Sequence, residues 1–188
     1  MATAELPKLM TVEEFLTLPE DGFRRELIHG ELREDTMTYR NLRHTQLAAT
    51  FSKVLGIWLE TQPHPKGMVL VGDAGFLLTK EPDTIVGTDV AYISPELAAA
   101  APEDARTIDG IPVLAVEILS PSDTQKNITD KIKAYLDAKV PLVWIVEPVF
   151  RTVTVYRPDA KPQLVNEEQQ LTGDPHLPGF SVALSELF

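Results

Sequence analysis

The sequence predicts an α/β (α+β) domain built on one mixed β-sheet with helices packed against it, and three observations carry that expectation. Residues 41–61 place Leu47, Phe51, Val54, Leu55, Trp58 and Leu59 at spacings of three and four, the stripe of a long helix lying on a core. Residues 112–119 and 142–146 are apolar at nearly every position, as strands buried on both faces are. Between them, residues 127–138 return to a helical period, with Ile128, Ile132, Tyr135 and Leu136 on one side.

The other elements follow in order. Thr11 with Glu14 three positions on is a capping box; it opens a helix carrying Phe15, Leu16 and Leu18 that ends in residues 19–22. Residues 24–33 read as a short hairpin turning at His29-Gly30. Pro63 and Pro65 close the long helix. Strands are expected at 69–71, 75–78 and 89–93, with Gly72, Pro82 and Gly87 as breaks. Ser94-Pro95 opens a short alanine-rich helix, residues 120–123 make a turn, and 152–156 form a further strand. The tail has Pro-rich turns and a last short helix at 184–187.

The 188 residues suffice for one buried core and are short for two, so residues 1–188 read as a single domain. With no cysteine, disulfides, thiolate metal sites and a Cys nucleophile are excluded, and a reducing cytoplasm is the natural compartment. No apolar run approaches the roughly 18 residues of a membrane span, and the first ten residues lack a secretory pattern. Lys and Arg number 17 against 28 Asp and Glu, a net charge of −11. That balance opposes anionic membranes and requires any nucleic-acid footprint to be local. Arg24, Arg25, Arg33, Arg40, Arg43 and Lys53 would give the N-terminal third such a basic surface. The four His show no metal-ligand spacing, the glycines form no phosphate-cradling loop, and no Gly-x-Ser-x-Gly element exists.

Two carboxylates stand where apolar strands are expected. Glu117 lies inside Val-Leu-Ala-Val-Glu-Ile-Leu and Asp89 leads Asp-Val-Ala-Tyr-Ile. A buried carboxylate must find a cation or a set of donors; an ion pair with a buried Lys or Arg is one solution and a divalent metal another. Oxygen ligands select hard cations, Mg²⁺ or Mn²⁺. Taken alone, Asp89 reads as a turn or cap residue; two such acids together favour the metal. On the helix that begins near Asn127, Lys131 borders the apolar stripe and can lean over the sheet or snorkel outward, whereas Lys133 points away. Lys126 is a weaker candidate for the same role. Glu26 sits in the hairpin, either at the site or paired with Arg24 or Arg25 at the surface. Asp73 reads as a turn residue, and His44 as packed or hydrogen-bonded rather than a ligand.

Six segments in order then resemble a known family: Met10-Thr-Val-Glu-Glu-Phe-Leu, Arg25-Glu-Leu-Ile-His-Gly-Glu-Leu, Thr88-Asp-Val-Ala-Tyr-Ile-Ser, Val116-Glu-Ile-Leu-Ser-Pro-Ser, Asp130-Lys-Ile-Lys-Ala-Tyr and Val140-Pro-Leu-Val-Trp-Ile-Val. Together, from about residue 10 to residue 157, they are similar to the Uma family of restriction endonucleases, in the PD-(D/E)XK nuclease superfamily. The resemblance implies a restriction-endonuclease-like mixed β-sheet flanked by helices and a metal-dependent DNA endonuclease. It also implies Asp89 and Glu117 as ligands of Mg²⁺ or Mn²⁺, with the Ile118 carbonyl as a further ligand, Lys131 as the catalytic lysine, and Glu26 assisting metal binding or orienting the site. The superfamily lysine usually stands two residues after the second acid, where this chain has Leu119; Lys131, four residues before Tyr135, fits the family's displaced lysine. Thr88 stands where the family commonly has Pro, which alters a turn rather than the chemistry. DNA is the implied substrate, and a homodimer would match the two strands of a duplex. Two rival readings are a non-catalytic, self-associating binding protein with the acids held in ion pairs, and a two-carboxylate glycosidase, which Lys131 argues against.

Overall fold

A computed structural model describes residues 9–36 and 39–188. The capping box forms: the Glu14 N–H donates to the Thr11 hydroxyl at 3.3 Å and the Thr11 N–H donates to the Glu14 carboxylate at 3.1 Å, opening α1 (Val12–Leu16). Strands β1 (Phe23–Ile28) and β2 (Glu31–Thr36) turn through His29 and Gly30, at φ of 52° and 79°, the pair of positive values a two-residue hairpin of this hand requires. A side chain at Gly30 would also strike Leu9, whose Cβ lies 2.7 Å from where its own would sit.

The chain continues through α2 (Leu42–Glu60), capped by Asn41, then β3 (Met68–Thr79), β4 (Thr84–Ile93), α3 (Pro95–Ala100) and β5 (Ile108–Asp109). After these come β6 (Leu114–Ile118), α4 (Gln125–Asp137), β7 (Leu142–Glu147), β8 (Thr152–Tyr156) and β9 (Gln163–Val165). The small hairpin of β10 (Gln170–Thr172) and β11 (Ser181–Ala183) leads into a 3-10 turn at Leu184–Glu186. A nine-stranded mixed sheet runs in the order β2-β1-β4-β6-β7-β8-β9, with β3 beside β4 and β5 beside β3. The β6–β7 and β3–β5 pairs are parallel and the others antiparallel.

Two expected breaks are not breaks. Gly72 belongs to a bulge inside β3, marked by a register shift between Val71 and Ala74, and Gly87 lies within β4. Asp89, expected at the head of its strand, is therefore in the strand's interior. The physical reason is the long antiparallel ladder from Thr79↔Thr84 to Met68↔Ile93, which outweighs the local preference of single glycines. Pro82, in the turn between β3 and β4, does end a strand.

The ladder has a further consequence. Because β3 occupies one edge of β4 along nearly its whole length, β1 and β6 must share the other: β1 meets it at Leu27↔Ile85, and β6 only from Val90↔Val116 onward. Residues 86–89 face a gap between those two neighbours.

Side chains of β6 and β7 alternate as strands demand. Leu114, Val116, Ile118, Leu142, Trp144 and Val146 join the layer under α2, with Phe51 and Trp58; Ala115, Val143 and Ile145 join the layer under α3 and α4, with Tyr135. The tail seals the α2 layer: Leu171, Leu177, Phe180 and Leu187 are buried there, and the Trp58 indole donates to the Pro178 carbonyl at 3.0 Å. Among the described residues no helix is long and apolar enough to cross a membrane. Phe51 is fully buried between α2 and Trp144, ring centroids 6.2 Å apart. Phe51→Ala should cost about 3–5 kcal/mol in a urea denaturation series.

Candidate functional site

The gap beside β4 is filled by charge. Gly87 would leave its backbone N–H and C=O without a strand partner there. The N–H donates to Glu26 Oε1 at 3.1 Å, and the carbonyl accepts from Lys131 Nζ at 2.5 Å and from Arg24 at 3.3 Å. Lys131, reaching in from α4, also lies 2.9 Å from Glu26 Oε1 and 2.8 Å from Glu117 Oε2. One turn further along α4, the Tyr135 hydroxyl donates to Glu117 Oε1 at 2.5 Å and meets the Thr88 hydroxyl at 2.7 Å. Asp89 Oδ2 accepts from the Ile118 N–H at 2.8 Å and lies 3.3 Å from His44 Nε2, while Oδ1 faces the Arg40 guanidinium at 4.0 Å.

Asp89, Glu117, Lys131 and Glu26 thus converge on one cavity of about 60 Å³, with Arg24, Arg33 and Arg40 at its walls. Lys133 and Lys126 are exposed and stand apart from it. Glu26 does pair with Arg24, at 3.5 Å, but it is half-buried and its nearer cation is Lys131. Asp73 sits at φ 58° in the β3 bulge, which turns its carboxylate onto Arg24 at 3.0 Å.

Burial pushes the Glu117 carboxyl up to about 7; Lys131 opposes the shift, while Asp89 and Glu26 add to it. Burial works against the Lys131 ammonium, but Glu117 and then Glu26 outweigh it and hold the group charged, its pKa raised to about 12. Asp89 and Glu26 also suffer burial. The nearby His44 ring and the charge of Lys131 bring Asp89 below the usual carboxylate range; the charges of Lys131 and Arg24 do the same for Glu26. Burial first, and then the neighbouring Glu117, push the Tyr135 hydroxyl well up, so it stays a donor.

The expected basic surface of the N-terminal third is mostly neutralised. Arg24 pairs with Asp73, Arg25 with Asp21 and Glu34, Arg33 with Asp130 at 2.7 Å, and Arg40 with Asp73 at 3.4 Å. Acids across the hairpin, in the β3 bulge and on α4 answer these arginines. Arg43 and Lys53, of the six, have no carboxylate partner among the described residues. Sequence reasoning left His44 and Tyr135 out of the site. His44 carried a signal: it heads the buried stripe of Leu47, Phe51, Leu55 and Trp58, where a polar residue needs a partner.

A divalent ion is compatible with this donor set. Among the described residues no three His, Asp or Glu side chains form a closed metal cage. Two carboxylates on one small polar cavity are nevertheless a form a Mg²⁺ site takes, since that ion keeps waters and binds substrate oxygens. The observation that fits a cation is Asp89 Oδ1, approached among the described residues only by Arg40 at 4.0 Å, on the same cavity as Glu117, whose carboxyl pKa is raised by burial. Asp89 Oδ1 and Glu117 could hold the ion. The same shift sets a pH dependence. A group raised in the folded state binds its proton more tightly there than when unfolded, so its stabilisation is complete below about 4.5 and is lost as pH rises through about 7. In chelated buffer, Glu117→Gln should remove a decline on the order of 1–3 kcal/mol across that window, read by urea denaturation at several pH values.

Known proteins share this fold and sequence pattern. The crystal structure of a "putative nuclease" from Anabaena variabilis ATCC 29413 matches with a TM-score of 0.79, covering 95% of this chain and 97% of that one at 21% identity, a likeness of fold. None of the curated proteins matches the chain. The model of the Uma2 family, described as "Putative restriction endonuclease", matches residues 12–185, so the family likeness extends past residue 157 into the tail that packs under α2. The chain belongs to the Uma2 restriction endonuclease family and carries that family's nuclease fold, a mixed sheet flanked by helices.

Proposed function

We propose that the chain is a metal-dependent DNA endonuclease of the PD-(D/E)XK type, hydrolysing phosphodiester bonds at the cavity beside β4. The observation that carries this reading is the Lys131 ammonium held among Glu26, Glu117 and the Gly87 carbonyl, at the wall of a cavity that also contains Asp89. A bound Mg²⁺ or Mn²⁺ would polarise the phosphate and lower the pKa of a coordinated water. The chain's own groups supply the rest. The Ile118 N–H holds Asp89 Oδ2, with the His44 ring packed 3.3 Å from it, which fixes the carboxylate and leaves Oδ1 facing Arg40 at the cavity wall. Tyr135 sets the plane of the Glu117 carboxylate from the opposite side. Lys131 stays charged and donates to the attacking water or to a phosphate oxygen. Glu26 takes a positioning role, because it and the Gly87 carbonyl keep Lys131 in place when Glu117 turns to a ligand. In this reading residues 1–188 form one domain, and a homodimer would present two sites to two strands, which sedimentation measures.

The non-catalytic reading has one observation in its favour: both Glu117 oxygens already have partners within the chain. Calorimetric titration with Mn²⁺ separates the two, since saturable binding lost in Asp89→Ala belongs to the enzyme alone. Activity is tested on plasmid and linear DNA with Mg²⁺ or Mn²⁺. Asp89→Asn, Glu117→Gln and Lys131→Met should each lower cleavage by about 10²-fold or more. Cleavage that persists in all three variants would overturn the assignment.

A further inference from the structure

A second cavity, of about 670 Å³, opens beside the first between the start of α2, the loop after β6 and the turn joining β7 to β8. Leu119 lines both cavities, so they adjoin at that residue. The second is large enough for a nucleotide-sized group. Arg43 and Arg151 stand at its wall, their guanidinium carbons each 5.9 Å from the Phe188 ring centroid, which aligns two cations on one platform. Arg43 has no carboxylate partner among the described residues and touches only the Pro148 carbonyl, at 3.4 Å, besides that ring. Arg151 shares its charge with Glu167, at 2.7 Å. Glu147, the one acid in the lining, has an oxygen tied to the Val149 N–H at 2.9 Å. The adjoining turn carries Val149 and Phe150, 78% and 76% exposed, in a chain whose other large apolar side chains are mostly packed away.

We propose that this second cavity seats the DNA strand flanking the cleaved phosphate: Arg43 and Arg151 take up backbone phosphates, and Phe150 with Val149 packs against the bases. The proposal rests on the nuclease reading. Charge complementarity and the shared wall at Leu119 favour DNA, whose evenly spaced phosphates can answer both arginines of a cavity that adjoins the site. Exposed apolar tips flanked by arginine are suited to bases, which every nucleotide presents as a flat face.

The test is fluorescence anisotropy of a labelled DNA duplex with EDTA present, so that binding is read without cleavage. Arg43→Ala with Arg151→Ala should weaken binding about tenfold or more and flatten the dependence of log affinity on log salt by about 2. Phe150→Ser, a change at an exposed tip, should weaken binding several-fold and leave that slope unchanged. DNA bound by both variants with unaltered affinity and slope overturns this proposal and leaves the nuclease reading standing. A parent protein that binds no DNA, either in EDTA or with Ca²⁺ in its place, overturns both. A shift from dimer to monomer in Phe150→Ser, with DNA affinity kept, assigns the tip to self-association and overturns this proposal alone.

Discussion

The structure depends on how one strand edge is completed. A strand at the centre of a sheet must pair its backbone on both sides or leave donors and acceptors buried without partners, at a cost of about 1–3 kcal/mol each. β4 pairs with β3 on one edge and splits the other between β1 and β6. Where the two neighbours part, Glu26 from β1 and Lys131 from α4 take over the work of a strand at Gly87. The groups that close the sheet are therefore the groups that line the cavity. This explains why acids and a lysine can stand in a core: Glu26, Lys131 and Asp89 each bond a backbone atom as well as facing an opposite charge, and Glu117 is bonded by Lys131 and Tyr135, which offsets the cost of burying them.

The same constraint decides where charge sits. A chain with net charge −11 does not hold most of its arginines free for an anionic partner. The hairpin arginines are matched by Asp21, Glu34, Asp73 and Asp130. What remains positive near the cavity is fixed and local: Lys131 among its acids, Arg40 weakly held by Asp73 and Asp89, and Arg43 beyond them. Such an arrangement favours precise placement over long-range attraction, because screened surface charge steers and buried charge positions.

Much of the framework was legible in the sequence. The stripe of α2, the two-sided burial of β6 and β7, and the capping box at Thr11 all rest on local periodicity or local hydrogen bonding, and each is found in place. Helix phase alone separated Lys131 from Lys133. What local pattern could not reveal depends on pairing between distant segments. Gly72 and Gly87 looked like breaks because the ladder that overrides them joins strands formed from different stretches. The tail strands have three residues each in register with their partners, too few to show alternation. The arginines looked like an open basic face because their acids lie across a hairpin, a bulge or a helix. His44 and Tyr135 each lay on a recognised stripe; their part in the site required knowing that the gap beside β4 brings α2 and α4 to the same two carboxylates.

In the proposed nuclease the Asp89–Glu117 pair holds a divalent ion as well as internal ion pairs. A crystal structure with Mn²⁺, read by anomalous scattering, tests it most directly. The account predicts one ion bound to both Asp89 and Glu117 at about 2.0–2.3 Å, with the Lys131 ammonium still on Glu26 and the Gly87 carbonyl. Ordered carboxylates with no ion at saturating Mn²⁺, and Glu117 still bound to Lys131 and Tyr135, would contradict it.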